Sequence, residues 1–170
     1  HEFEDVAAIT ALARPGPLNS GGTAEYIKRH TGAAPVEYLH PLTEAITKVT
    51  NGVVVYQEQV MMIGRDVGGL SWEDVSSLRK AMSRSLGTEF FDKYFEKFKA
   101  GAKKNGIDKD SARYIWDHIN TMGSWAFNRS HAVAYGLVSY WCCVLKSRFP
   151  LEFAAACLRN VKDDEQAVRL

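Results

Sequence analysis

Residues 108–123 read DKDSARYIWDHINTMG, and Ala112, Ile115, Trp116, Ile119 and Met122 recur there at intervals of three or four. That interval returns side chains to one face of an α-helix and fits no strand. Asp108 stands where an N-cap carboxylate takes up free backbone N–H groups, and Gly123 where a helix ends. The same grammar continues upstream. Thr88 opens a segment with Phe91, Tyr94, Phe95, Phe98 and Ala102 on one side, closed by Asn105 and Gly106. Ser71, with Asp74 three residues on, forms an imperfect capping box ahead of another helix. Downstream, residues 132–145 are an uncharged run of fourteen. That is short of the roughly 20 needed to cross a bilayer and predicts a buried core helix from about Ser130 to Ser147.

The N-terminal part is more broken. Residues 4–12 predict a short apolar helix stopped by Arg14, Pro15, Gly16 and Pro17, whose two prolines stiffen the turn and withhold N–H donors. Residues 24–30 predict a second helix, residues 35–38 an extended stretch, and Pro41 the start of a third helix. At residues 53–55 three valines have strand propensity, and Asn51-Gly52 suits a hairpin turn. Against that, Val53, Tyr56, Val60, Ile63 and Val67 repeat at helical spacing, and the repeat favours helix. Eight or nine helices with short loops predict an all-α fold, a single multi-helix domain over residues 1–160 with a buried apolar central helix. Residues 161–170 would begin a following helical segment.

Composition narrows the function. With 170 residues, 46% hydrophobic and 24% charged, the chain is neither disordered, fibrous nor a small disulfide scaffold. Its 21 basic residues face 20 acidic ones, so any nucleic-acid role rests on a local patch and not on bulk charge. Cys142, Cys143 and Cys157 are odd in number and form no CxxC pair, which supports neither a disulfide framework nor a zinc site. The N-terminus lacks the basic and apolar regions of a secretory signal. No starting Met is present and the last residues read as helix, so the chain is expected to be a piece of a longer polypeptide.

No phosphate-binding loop, dinucleotide fingerprint, nucleophile elbow, zinc-protease motif or EF-hand loop occurs. Without a clustered carboxylate pair, no catalytic residue and no metal ligand is expected within this chain. Three segments stand out nevertheless. In Leu78-Arg79-Lys80-Ala81-Met82, the spacing of Trp72, Val75 and Met82 puts Arg79 where a hydrophobe is expected, so its guanidinium must be paired or face a cavity. From Arg79 to Lys104 there are eight Lys or Arg against three acidic residues; a plain solvated face is the alternative there. The second segment is Ser124-Trp125-Ala126-Phe127-Asn128-Arg129-Ser130-His131. It enters the most apolar helix, and residues 123–150 hold no Asp or Glu. Asn128 or Ser130 can cap that helix, and its positive end beside Arg129 and His131 suits an anion; an ordinary capped helix start with Trp125 in the core is the alternative. The third is Arg14, fixed by the Pro-Gly-Pro turn, with a surface arginine after a helix stop as the simpler account.

Taken in order, ARPGPLNSG, VVVYQEQVM, LRKAM, GAKKNGI and AFNRSHAVAYGLVSYWCCVLKSRFPLEFAAACL resemble the fingers region of the bacterial replicative DNA polymerases of family C, the alpha subunits of DNA polymerase III. The resemblance runs from about Phe3 to Leu158. It implies nucleotide handling within a DNA-directed DNA polymerase: Arg79 and Lys80 would neutralise the incoming deoxynucleoside triphosphate, and Trp125, where tyrosine is usual, would stack near the nascent base pair. Asn128, Arg129, Ser130 and His131 match an FNKSH motif, with Arg for Lys, and would line the nucleotide pocket. Arg14 would have a structural or site-edge role. The resemblance further implies Mg2+ held by palm aspartates outside this chain, and hence an inactive fragment with no cofactor of its own. As partners it implies primer-template DNA, the palm and thumb of the longer chain and replisome subunits, in the cytoplasm and without a membrane. Ser83, Arg84 and Ser85 depart from the family's glycine-lysine-lysine, which puts phosphate contact by that loop in question. Two rival readings stand beside this one: a non-catalytic helical module that binds nucleic acid or protein, and a plain scaffold.

Overall fold

The computed structural model describes residues 2–84 and 86–161, and its regular structure is helical. The elements are α1 (Phe3–Leu12), α2 (Pro15–Asn19), α3 (Gly22–His30), α4 (Glu44–Thr47) between two 3-10 turns (Pro41–Thr43 and Lys48–Thr50), and α5 (Gln57–Met62), which runs into a π-helical turn (Ile63–Val67). There follow α6 (Trp72–Ser83), α7 (Thr88–Asp92), α8 (Phe95–Lys104), α9 (Lys109–Gly123), α10 (Arg129–Arg148) and α11 (Pro150–Arg159). Among the described residues the sole β-type pairing is one parallel bridge between Tyr56 and Phe127. The expected helical start over residues 161–170 lies, apart from Val161, outside the described residues.

Two apolar clusters make the interior. The first gathers α5 to α9 around Trp116, fully buried, with the rings of Phe91, Phe95 and Phe98 centred 6.4, 6.0 and 4.9 Å from it. Close crossing of α8 over the end of the π-turn depends on glycine: a Cβ on Gly101 would sit 2.0 Å from the Gly68 carbonyl oxygen. The second cluster joins α1 and α3 to Tyr56, Trp125 and Ala132.

Residues 53–55 lie between the clusters and correct the helix expected there. They are extended, and α5 starts only at Gln57. Val54 packs in the first cluster while Val53 and Val55 pack in the second, an alternation that only an extended chain provides. Asn51, in the left-handed region at φ 53°, turns the chain into this stretch. The Gln59 side chain then accepts the Val55 and Tyr56 N–H groups at 2.8 and 3.0 Å, which removes the need for a sheet partner.

The expectation of a buried central helix is likewise corrected. Of α10 only Ala132 and Gly136 are buried, while Tyr135, Leu137, Val138, Tyr140, Trp141 and Leu145 are exposed. α10 packs chiefly on α1, through a strip of small residues: a Cβ on Gly136 would be 3.4 Å from the Ala7 backbone. Facing α1 on one side only, α10 leaves Tyr135, Leu137 and Val138 exposed even within the span that α1 contacts, from Arg129 to Tyr140. α10, with 20 residues against 10 in α1, is also about 30 Å long against 15 Å of axis. α11 folds back on α10 and buries none of its own residues.

Candidate functional site

α6 begins with the capping box expected at Ser71. The Asp74 N–H donates to Ser71 Oγ at 3.2 Å, and the Ser71 N–H donates to the Asp74 carboxylate at 2.8 Å. Burial alone would raise the Asp74 pKa, yet bonds from Lys97 and Ser71 outweigh it and hold the carboxyl below its usual value. The buried stripe of α6 is Val75, Leu78, Ala81 and Met82. Trp72 and Arg79, expected on that stripe, instead share the outer face with Lys80. Their common phase is as the spacing predicted, but Leu78 and Ala81 rotate the buried side away from them. Arg79 is thus not buried. Among the described residues Arg79, Lys80 and Arg84 are exposed and make no ion pair or side-chain hydrogen bond. Other cations of the basic run are engaged: Lys97 pairs with Asp74 and Lys99 with Glu96.

The entry to α10 is built differently. Asn128 Oδ1 caps the helix by accepting the His131 N–H at 2.9 Å, and it also accepts the Ser130 hydroxyl at 2.6 Å. Glu58, at the start of α5, accepts the Asn128 Nδ2–H at 3.1 Å and the Arg129 N–H at 3.0 Å. A carboxylate of the protein therefore occupies the place where the sequence suggested an external anion. The Arg129 side chain donates to Glu4 Oε1 at 2.9 Å, with its guanidinium 5.7 Å from the centre of the Tyr56 ring. Burial, with Glu4 adding to it, raises the Tyr56 pKa. The His131 ring lies edge-on to Phe127, with centroids 5.4 Å apart.

Beneath this entry, Trp125 and Arg14 interlock. The Trp125 indole is buried in the second cluster against Gly22, where a Cβ would come within 2.9 Å of it. Its N–H finds no acceptor among the described residues. Arg14 donates from Nε to the Ala11 carbonyl and from Nη2 to the Trp125 carbonyl, both at 2.8 Å, and stacks 4.3 Å from the Phe127 ring centre. Partial burial lowers the Arg14 pKa. The Pro-Gly-Pro segment that positions it is the short helix α2, with Pro15 in the first turn, and not a bare turn.

The structure thus gathers Arg14, Trp125, Asn128, Arg129, Ser130 and His131 at one place and holds Arg79 and Lys80 on another element, with no bond between the two groups. α5 connects them: Glu58 grips the start of α10, while Val60 packs in the same cluster as Val75 and Leu78 of α6. Glu58 and Glu4 were not singled out from the sequence. The one signal that could have found them is the acid-free stretch 123–150, whose helix start had to borrow its anion from elsewhere in the chain. Along α5 and the π-turn, Glu58, Met61, Met62 and Arg65 line a cavity of about 310 Å³, closed on one side by Trp72. Among the described residues no group of three His, Cys, Asp or Glu side chains is placed to hold a metal ion, and no helix is long and apolar enough to cross a membrane.

Residues 1–106 match the family described as bacterial DNA polymerase III alpha subunit finger domain. Over 168 residues, 99% of this chain, the sequence is 40% identical to the DNA polymerase III subunit alpha of Aquifex aeolicus, of which it covers 14%. It is 42% identical over 166 residues, 98% of this chain, to that of Chlamydia muridarum, covering 13% of it. It is 39% identical over 167 residues, 96% of this chain, to that of Mycobacterium tuberculosis, covering 14%. The chain therefore spans about one seventh of the length of the relatives it matches.

Proposed function

The chain belongs to the bacterial DNA polymerase III alpha-subunit family, as finger-domain sequence, and we propose on that footing that it holds the incoming deoxynucleoside triphosphate and the templating base pair during DNA replication. The observation that carries this reading is the state of Arg79 and Lys80: exposed, side by side on α6, and without carboxylate partners among the described residues. Phosphoryl transfer asks a protein mainly for positioning and charge neutralisation, and cations free of partners give up nothing when a polyphosphate arrives. Arg129 differs, because contact with a phosphate requires it to release Glu4. Asn128, Ser130 and His131 would line the nucleotide pocket beside it. Trp125, buried as it is, would act as a positioning residue that sets the entry angle of α10.

On this reading the chain supplies no catalytic carboxylate and is inactive alone. Mg2+ would be bound by carboxylates elsewhere in the longer polypeptide. The partners are primer-template DNA, the nucleotide, the palm and thumb, whose surfaces would cover the exposed flank of α10, and replisome subunits, all in the bacterial cytoplasm.

The test is Arg79→Ala in the full-length polymerase. Loss of one such charge should cost about 2 to 4 kcal/mol in the transition state, read as a lower kcat/KM for deoxynucleotides at an unchanged melting temperature. Wild-type kinetics would overturn the assignment and favour the rival reading, a non-catalytic helical module, for which the exposed apolar flank of α10 is the supporting observation.

A further inference from the structure

The outer face of α6 carries more than its two cations. Trp72, at the first helical position, is 64% exposed, although a large aromatic ring gains most by burial. The Arg65 guanidinium stands 4.6 Å from its ring centre and is itself held by Asp66. Met61 and Met62 complete an apolar floor, and the cavity bounded by these residues and Glu58 measures about 310 Å³. Trp72 and Arg79 are seven residues apart, about two turns and roughly 10 Å along the helix, so an aromatic plate and a cation pair lie in line on one exposed face.

We infer that this hollow is a stacking subsite for a base of single-stranded DNA, with the strand's phosphates running along α6 to Arg79 and Lys80. An indole already backed by a guanidinium is a rigid platform on which any base can stack. The polarizable thioethers of Met61 and Met62 tolerate bases of different shape. The 10 Å to Arg79 corresponds to about three steps at the 3.4 Å rise of a stacked strand. The hollow also adjoins the proposed nucleotide site through Glu58, whose carboxylate grips the α10 entry. Phosphates of the strand and of the incoming triphosphate would compete for Arg79 and Lys80, so their placement rests on the functional reading above, whereas the stacking platform rests on Trp72, Arg65 and the methionines.

The experiment is fluorescence anisotropy of a labelled thymidine oligonucleotide of about 12 nucleotides on the full 170-residue chain, with melting curves to confirm that each variant is folded. Trp72→Ala should weaken binding roughly tenfold without changing the salt dependence, and Trp72→Phe should restore most of the loss. The Arg79→Ala, Lys80→Ala double variant should lower the slope of log K against log salt by about 1.4. On an abasic strand of the same length, Trp72→Ala should cost nothing. Equal binding by wild type and Trp72→Ala, an equal loss on the abasic strand, or no binding by the wild type overturns the inference. If Trp72→Ala is silent while the double variant still lowers the slope, stacking fails and the phosphate reading of α6 stands. A normal slope in the double variant with a clear Trp72 effect means the reverse.

Discussion

The outer face of α6 and the entry to α10 carry similar chemistry, arginines beside an aromatic ring, yet the protein treats them in opposite ways. At the α10 entry nearly every polar group has a partner inside the chain: Arg129 has Glu4, its N–H has Glu58, and Arg14 has two carbonyls. On α6, Arg79 and Lys80 have none among the described residues, and Trp72 is open to solvent. A cation with a partner already contributes to folding, and a ligand must compete with that partner. A cation without one contributes little to stability and is free to bind. The two faces should therefore respond oppositely to substitution, one in stability and the other in binding.

The largest expected effect lies beneath α10. Trp125→Ala removes a buried indole packed on Gly22 and should destabilise the fold by about 3 to 5 kcal/mol in urea unfolding. Arg79→Ala should stay within about 0.5 kcal/mol of wild type, as surface substitutions do. If Trp125→Ala were mild, or Arg79→Ala as costly, the contrast between the two faces would collapse.

The same contrast explains what the sequence allowed one to read. Helices α6 and α9 were legible because caps and apolar spacing agree there, whereas the single helix expected from Thr88 breaks at Lys93 and Tyr94 into α7 and α8. Ser71, Asp108 and Asn128 all cap as their positions indicate. Residues 53–55 misled because three valines followed by Tyr56, Val60 and Ile63 satisfy helical spacing, while their true period of two serves a pair of cores that only tertiary structure defines. The phase of Trp72 and Arg79 was legible, but which side of α6 faced inward was not. Leu78 and Ala81 decide that, and they count only once α5 and α9 are packed against them. Burial of α10 was misjudged because apolar composition says nothing about how many sides of a helix its neighbours cover. Glu58 and Glu4 left only an indirect trace, the acid-free stretch 123–150, since a carboxylate 71 residues away from Arg129, or 125 away, forms no local pattern.

A middle-sized effect sharpens the comparison by separating charge from shape. Arg14→Lys keeps a cation at the α10 entry but loses the fork that reaches the Ala11 and Trp125 carbonyls together. One of those carbonyls is then left without its donor, at a cost of about 1 to 3 kcal/mol. Chemical denaturation of Arg14→Lys beside Arg14→Ala measures it. If lysine were as good as arginine, the entry would depend on charge alone, and its difference from α6 would be one of degree.

The smallest effect concerns the anchor of α6 itself, which is electrostatic although its outer face is unpaired. Bonds from Lys97 and Ser71 hold the Asp74 carboxyl below its usual pKa, outweighing the opposing effect of burial. A carboxyl depressed in the folded state stabilises the fold fully above its unfolded value of about 3.9, and that contribution is lost as the pH falls through the folded-state value. Asp74→Asn, which retains an oxygen for the Ser71 N–H but cannot pair with Lys97, should be about 1 kcal/mol less stable at neutral pH. The gap to wild type should close in acid, below the folded-state pKa of Asp74, because both proteins then carry a neutral side chain there. Arg79→Ala, with no carboxylate partner among the described residues, should follow wild type at every pH. Urea unfolding at neutral, mildly acidic and strongly acidic pH separates these outcomes. A gap for Asp74→Asn that persists unchanged into strong acid would show that α6 is anchored by packing alone, and its free cations would then owe nothing to the charge at its base.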